Sequence, residues 1–185
     1  MATTIAEQLD KFVSSYVTLA GQDGLKVPFD SEWPSSCYDG TGKAGELVNW
    51  TPKMQTNLGS FENVEAALSL SLHPDYCLYF TRYFSGNLSA VASQGNCELL
   101  QIWNEEDFTR LQENLIGHLL MKQRLKQPPT LFFGVTDEED FILSILNDTG
   151  EVALEQVGKL PQKILAPNLA DFIAQLTPQP QRDSA

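Results

Sequence analysis

The sequence has few positive charges and no long apolar run. Its 185 residues include 12 Lys or Arg against 24 Asp or Glu, so the formal net charge is −12 at pH 7. Binding to a phosphate backbone or to an anionic lipid surface needs clustered cations, and both are therefore disfavoured. No stretch of about 18 apolar residues occurs, which argues against insertion into a bilayer. The N-terminus also lacks the basic and apolar segments of a cleaved signal peptide.

Cysteine is scarce as well, and its spacing excludes two common frameworks. The chain has 3 cysteines, and none of them belongs to a Cys-x-x-Cys pair. An odd number of widely spaced thiols argues against a disulfide framework and against a structural zinc site. Cys37, Cys77 and Cys97 are therefore predicted to be small apolar residues, in a protein of the reducing cytoplasm.

Motifs that carry catalysis are also missing. The sequence contains no Walker, dinucleotide-binding, Gly-x-Ser-x-Gly or His-Glu-x-x-His motif. Of the 2 histidines, His73 is predicted to be a cap or turn residue and His118 a core-edge residue. These absences favour a protein without catalytic residues, metal or cofactor. A carboxylate pair such as Glu106 and Glu113, or a Cys–His pair, leaves a hydrolase as the alternative.

Periodicity predicts an α+β fold: a single compact domain over residues 1–177, with a mainly antiparallel sheet of hairpin-connected strands flanked by helices. Residues 178–185 are predicted to form a disordered tail. The aromatic segment from Tyr76 to Phe84 fits either a strand or a helix, and its composition favours a strand. The predicted helices cover residues 4–20, 61–72, 104–126 and 168–176. The other predicted strands cover residues 47–50, 88–93, 97–103, 130–136, 141–147 and 151–157.

The negative charge is concentrated in one part of the chain. Residues 98–155 carry 12 acids and 4 bases, and most of these acids fall in two clusters, Glu105–Asp107 and Asp137–Asp140. If the helix from Asn104 packs antiparallel to the strand from Thr130, both clusters lie towards one end of the domain. Alternatively, the first cluster serves only to stabilise the helix, because each acid in a first helical turn adds about 0.3–1 kcal/mol of stability. Four consecutive acids point in diverging directions, so a metal site is not expected.

Three blocks of sequence closely resemble the Syd family of bacterial SecY-interacting proteins, within the SUKH superfamily. They are Ile102–Phe108, Leu111–Leu119 and Arg124–Phe132. Shorter matches run in order from near residue 30 to the C-terminal helix. These are Pro34–Cys37, Trp50–Pro52, Asn63–Glu65, Ser144–Gly150 and Asn168–Phe172.

The resemblance implies a SUKH-like domain without catalytic activity, loosely associated with the cytoplasmic face of the inner membrane. Syd proteins bind the translocon subunit SecY, and are thought to sense or sequester improperly assembled SecY or to restrain the translocase. A concave acidic surface is thought to receive basic cytoplasmic loops of SecY, in keeping with the negative charge found here. An immunity-like module that neutralises a basic toxin is the alternative among binding proteins, and the oligomeric state stays open.

The expected partner-binding residues follow from the charge clusters and from the matching blocks. Four lie inside a matching block and four lie in the second acidic cluster. They are Glu105, Glu106, Asp107, Glu113, Asp137, Glu138, Glu139 and Asp140.

Overall fold

The structure, a computed structural model, describes residues 3–180. Within these residues the helices are α1 (Ile5–Ala20), α2 (Glu62–Leu68), α3 (Pro74–Arg82), α4 (Glu105–Arg124) and α5 (Leu169–Ala174). The strands are β1 (Leu25–Pro28), β2 (Leu47–Trp50), β3 (Lys53–Met54), β4 (Tyr83–Phe84), β5 (Leu88–Ala92), β6 (Gly95–Leu99), β7 (Thr130–Thr136), β8 (Phe141–Leu146), β9 (Val152–Gln156), β10 (Pro161–Ala166) and β11 (Thr177–Pro178). A seven-stranded antiparallel sheet has the order β10-β9-β8-β7-β6-β5-β11, and the pairs β1-β2 and β3-β4 form two small sheets. The predicted α+β fold of hairpin-connected strands flanked by helices is confirmed.

Side-chain caps fix where four of the helices begin, and Thr4, Asn104 and Asn168 provide three of them. Thr4 and Glu7 form a capping box at the start of α1, each side chain bonding to the backbone of the other residue. Asn104 and Asn168 accept a hydrogen bond from the backbone N–H three residues on, at the starts of α4 and α5. The structure confirms these three predicted helices, and they could be predicted because their caps are visible in the sequence.

The segment from Tyr76 to Phe84 is a helix over most of its length, so the prediction of a strand is wrong. Pro74 occupies the first turn of α3, and His73 caps the helix by accepting from the backbone N–H of Asp75. A proline in the first turn has the φ angle that a helix needs and lacks an N–H that would be unpaired there. The buried residues Tyr76, Tyr79 and Phe80 follow helical spacing. The prediction that His73 is a capping residue is confirmed.

The other differences are strands that the sequence pattern did not indicate and elements that end earlier than predicted, such as the strand predicted over 97–103, which ends at Leu99. The long connection after α1 contains β1 and β3 besides the predicted β2, and the chain after β9 forms β10. The predicted tail begins inside β11, where Pro178 pairs with Ala90 and the backbone N–H of Gln179 donates to the carbonyl of Ser89. The rest of that tail, residues 181–185, lies outside the described residues. The predicted helix over 61–72 is shorter, because Ser69 turns into the left-handed region at φ 49°.

Helices cover both faces of the large sheet. Neighbouring residues of a strand point to opposite faces, and β7 shows the division. The Phe133 ring contacts those of Tyr79 in α3 and Phe172 in α5 at centroid distances of 5.7 and 5.8 Å. The Phe132 ring contacts His118 of α4 at 5.5 Å on the other side. The position of α4 on its face therefore decides where the acids of its first turn lie.

A buried polar cluster holds the C-terminal half of α4 on the sheet. Lys122 Nζ lies 3.1 Å from Glu155 Oε1, and the two side chains are 1% and 0% exposed. Lys122 also donates to Gln127 Oε1 and to a backbone carbonyl of the β9–β10 turn, at 2.9 and 3.0 Å. Thr130 donates to the second carboxylate oxygen of Glu155 at 3.0 Å and lies 2.9 Å from His118 Nε2. The cluster thus joins α4, β7 and β9.

His118 is expected to make folding stability depend on pH. Burial, with a smaller effect of the Lys122 ammonium, lowers the pKa of His118 from 6.5 to about 4. The unfolded chain therefore binds this proton first, and stability is lost as pH falls from about 6.5 to about 4. We expect this residue to account for a loss of about 2 kcal/mol between pH 7 and pH 5.

Urea unfolding at pH 7 and pH 5 measures that loss. His118→Gln, which cannot take up the proton, should lower the pH dependence by the stated amount. The charged groups that face His118 are Lys122 on α4 and Glu155 on β9, 3.7 Å away, and both remain in the variant. Equal pH dependence of the two proteins would contradict the assignment.

Candidate functional site

An open groove of about 830 Å³ lies beside β5 and β6. One wall is β1 with the turn that follows it, and the floor is formed by the connection from β4 to β5 and by the sheet face that carries Ser89 and Glu98. The chain just before α4 and the first turn of that helix complete the other wall. The residues that line the groove include Lys26, Asp30, Trp33, Tyr38, Trp50, Glu98, Gln101, Trp103 and Asp107.

A chain of aromatic rings builds one wall of the groove. The Trp103 ring meets the rings of Tyr38 and Trp50 edge to face, at centroid distances of 5.2 and 5.6 Å. Tyr38 in turn contacts Phe29 at 5.0 Å. Such ring pairs add about 0.5–1.5 kcal/mol each beyond the burial of their area. A Cβ at Gly86 would lie 3.1 Å from the Trp50 ring, so a glycine at this point lets the ring approach the floor.

Carboxylates outnumber cations in the groove. Among the described residues that line it, Asp30, Glu98 and Asp107 are acids and Lys26 is the one basic residue. Asp107 is held firmly: its Oδ2 accepts from the backbone N–H of Trp103 at 2.8 Å, while its own N–H donates to Asn104 Oδ1 at 2.8 Å. The groove therefore presents fixed negative charge beside aromatic faces, which suits a cationic ligand.

The predicted partner-binding residues fall into three positions. Asp107 lines the groove, whereas Glu105 and Glu106 are exposed on the same helical turn and border a smaller pocket of about 420 Å³. Glu113 is exposed two turns further along α4. The four acids of 137–140 are all exposed in the turn between β7 and β8.

The two acidic clusters lie towards opposite ends of β6. Thr136, the last residue before the turn at 137–140, pairs with Cys97 in the middle of β6. Because β7 runs antiparallel to β6, the turn continues towards Gly95, the first residue of β6. Asn104 follows Leu99, the last residue of β6, and therefore lies beyond the other end of that strand. The segment between them is held by a hydrogen bond from the backbone N–H of Ser85 to the carbonyl of Ile102. Although α4 does pack on β7, the short segment from Leu99 to Asn104 starts the helix at the end of β6 that lies away from the acidic turn. The expected single acidic end of the domain is therefore not formed.

Two groove acids were missed in the sequence. Asp30 lies in the long connection, where no periodicity assigns it to a face, and its Oδ1 accepts from the backbone N–H of Glu32. Glu98 stands between Cys97 and Leu99, which are both buried. This alternation indicates that Glu98 points away from the core, and it was the available signal. The alternation does not show that the β1–β2 pair lies beside this face of the sheet and makes it concave.

The thiols and imidazoles are poorly suited to catalysis. Burial raises the pKa of Cys77 and of Cys97 to about 11, so both are protonated near neutral pH, and the thiolate is the nucleophilic form. His73 caps α3 and His118 belongs to the buried cluster below α4. Residues 3–180 hold no group of three or more His, Cys, Asp or Glu arranged for a metal ion. Over the same residues, no helix combines the length and the apolar character that crossing a bilayer requires.

The sheet with helices on both faces, together with the groove beside β5 and β6, defines an α+β domain that presents a concave, acidic and aromatic surface. A family model described as Syd protein (SUKH-2) matches residues 6–178. The chain belongs to the Syd family, as the resemblance in its sequence indicated.

Relatives of similar length support this assignment. The chain is 69% identical over 178 residues to Protein Syd of Alteromonas mediterranea, covering 96% of this chain and 98% of that protein. It is 41% identical over 182 residues to Protein Syd of Pseudoalteromonas atlantica, with the same coverage of 96% and 98%. Protein Syd of Colwellia psychrerythraea is 51% identical over 160 residues, which cover 82% of this chain and 80% of the relative.

Proposed function

We propose that this protein is a binding protein without catalytic activity, whose acidic groove docks on basic cytoplasmic loops of SecY. The observation that carries the proposal is the groove, with three carboxylates and one lysine among its described lining residues. Membership of the Syd family supplies the candidate partner. Cytoplasmic loops of membrane proteins are enriched in Lys and Arg, so the charges of the two surfaces are complementary.

The proposed location is the cytoplasmic face of the inner membrane, where the protein is peripheral and loosely held by SecY. The net charge of −12 opposes binding to anionic lipid, so the attachment is to loops of a membrane protein. In this role the protein senses or sequesters improperly assembled SecY, or restrains the translocase. Complementary charge speeds the encounter, and affinity falls as salt rises.

The proposed contact surface extends from the groove along the exposed side of α4. Asp107 lies in the groove, Glu105 and Glu106 flank it, and Glu113 continues the acidic surface along the helix. The acids of 137–140 form a separate acidic turn, which we assign to a second contact with the same partner. Because the structure separates the two clusters, their contributions can be measured independently.

Charge reversal of Glu105 and Glu106 is expected to weaken binding of SecY about tenfold. Neither side chain caps the helix, since Asn104 and Asp107 make those hydrogen bonds. Two lost attractions, each replaced by a repulsion of similar size, amount to roughly 1–2 kcal/mol at exposed sites. The measurement is retention of SecY from detergent-solubilised membranes by the immobilised protein, titrated with salt from low to high ionic strength.

Two further variants serve as comparisons. Asp148→Lys reverses an exposed charge in the β8–β9 turn, which does not line the groove, and it should retain SecY as the unaltered protein does. Asp137→Lys with Glu138→Lys measures the acidic turn alone. Retention of SecY that is insensitive to salt would overturn the electrostatic mechanism. Equal losses in the Glu105/Glu106 and Asp148 variants would overturn the assigned surface.

A further inference from the structure

Gln101 occupies an unusual position on the floor of the groove. It lines the groove, yet it is only 7% exposed, and its Nε2 has no hydrogen-bond partner among the described residues. Its backbone N–H is satisfied by Asn87 Oδ1 at 2.9 Å. This unpaired side-chain donor costs about 1–3 kcal/mol, and a cation, which only donates, cannot pair with it. The amide oxygen is the atom of Gln101 that a cation could bind.

The surroundings of Gln101 fix which way its amide faces. The hydroxyl of Tyr79 donates to the carbonyl of Leu100 at 2.8 Å, and therefore has only acceptor capacity left. Burial raises the pKa of Tyr79, and the amide of Gln101, acting as a donor to the hydroxyl, lowers it by a smaller amount. The contact between the two groups falls outside good hydrogen-bond geometry. The amide nitrogen thus faces Tyr79, and Oε1, to which none of the described residues donates, is the atom that Gln101 can offer to a ligand in the groove. An acceptor on the floor calls for a donor in the ligand.

The residues that line the groove suit the guanidinium group of arginine better than the ammonium group of lysine. An ammonium is compact and strongly hydrated, whereas a guanidinium is planar, is more weakly hydrated and stacks on aromatic rings. It also offers five N–H donors in one plane, enough to bond a carboxylate and an amide oxygen together. Glu98, Asp107 and Gln101 line the same groove as Tyr38 and Trp103, whose rings contact each other.

The protein already contains one such contact at the rim of the groove. The guanidinium carbon of Arg110, on α4, lies 5.6 Å from the centroid of the Trp33 ring. Guanidinium groups over tryptophan faces are held by about 0.5–2 kcal/mol, with the larger values at desolvated sites. The interior of the groove, where Gln101 is buried, is the more desolvated of the two positions.

We propose that the groove recognises an arginine side chain of the basic partner, through Gln101, the groove carboxylates and the aromatic wall. This rests on the proposed function in one respect, namely that the partner is cationic. The guanidinium stacks against the ring wall, donates to Gln101 Oε1 and pairs with Glu98 or Asp107. Lysine at the same position keeps the charge but loses the stacking and the paired hydrogen bonds, so arginine is preferred.

Two matched peptides test this proposal without SecY. They have the same sequence of basic and small polar residues, blocked ends and equal charge, but one carries arginine and the other lysine at every basic position. We expect the unaltered protein to bind the arginine peptide at least about tenfold more tightly at one ionic strength, as followed by tryptophan fluorescence and calorimetry. Equal affinities would overturn the proposal, while the salt-dependent retention of SecY would be unaffected by that result.

Variants at Gln101 separate recognition from folding. Gln101→Met keeps the size of the side chain and removes its acceptor, and it should lower the preference for arginine to less than about threefold while the lysine peptide binds as before. Gln101→Glu retains acceptor oxygens and should retain the preference. Gln175→Met, at an exposed glutamine after α5, should change neither affinity. If Gln101→Met weakens both peptides equally, or if Gln101→Glu also loses the preference, Gln101 has no part in recognition and the proposal fails.

Discussion

Replacing Lys122 with methionine is expected to destabilise the fold by about 3–5 kcal/mol, because it leaves the carboxylate of Glu155 buried without its ion-pair partner. Both side chains are almost fully buried, and their charged atoms lie 3.1 Å apart. Thr130 would still donate to Oε2, but Oε1, which has no hydrogen-bond donor among the described residues apart from this ion pair, would lose its cation. Urea unfolding monitored by circular dichroism measures the change in the free energy of unfolding.

The control is a cation of the same helix that is exposed. Arg124→Met should change stability by less than about 1 kcal/mol, because surface charges contribute little. The double variant Lys122→Met with Glu155→Leu removes both charges, and it should recover much of the loss, since a buried pair is often no more stable than a well-packed apolar one. A single Lys122 variant as stable as the Arg124 variant would show that the pair does not hold α4 in place.

Lys122 illustrates what the sequence can and cannot predict. A lysine in the last turn of a helix is ordinary, because it complements the helix dipole from an exposed position. Its burial depends on the β9–β10 turn, whose carbonyl at Lys159 accepts from the ammonium although it is 37 residues away in sequence. The elements that were predicted correctly depend on local signals, such as the cap at Asn104 and the turn around Gln94 between β5 and β6. Where local signals conflict, as in Tyr76–Phe84, the proline at position 74 and the helical spacing of buried rings outweigh β propensity.

The groove shows the same limit for the candidate site. Its acids come from a long loop, from a strand and from a helix, at Asp30, Glu98 and Asp107. Charge counting found the segment in which two of these three lie, because net charge can be read without knowing the fold. Charge counting could not show that Glu98 lines the groove and that the acids of 137–140 do not. Only the sheet register shows that those four acids lie towards the first residue of β6, whereas α4 follows its last residue. The family resemblance predicted the kind of surface, and the residues that we propose for it were chosen because they line or flank the groove.

Replacing Trp103 with alanine is expected to cost about 3–5 kcal/mol and to abolish binding in the groove. The ring is 8% exposed and contacts both Tyr38 and Trp50, so its loss leaves a cavity between two further rings of the wall. The backbone of Trp103 also accepts from the Ser35 hydroxyl at 2.6 Å and donates to Asp107. A shift of this segment would therefore move an acid of the groove as well. Urea unfolding and titration with the arginine peptide measure the two effects.

Trp33→Ala is the control for Trp103→Ala. It shows whether the loss of stability is specific to the aromatic wall or follows the removal of any tryptophan. Trp33 is only partly buried, and its ring meets Arg110 at the rim, so its removal should cost less than about 1.5 kcal/mol. Trp103→Phe, which keeps a ring in the wall, should recover at least half of the stability lost in the alanine variant. If Trp103→Ala unfolds at the same urea concentration as Trp33→Ala, the rings do not support one another. The groove would then owe its shape to the backbone of the 33–38 loop and not to its aromatic wall.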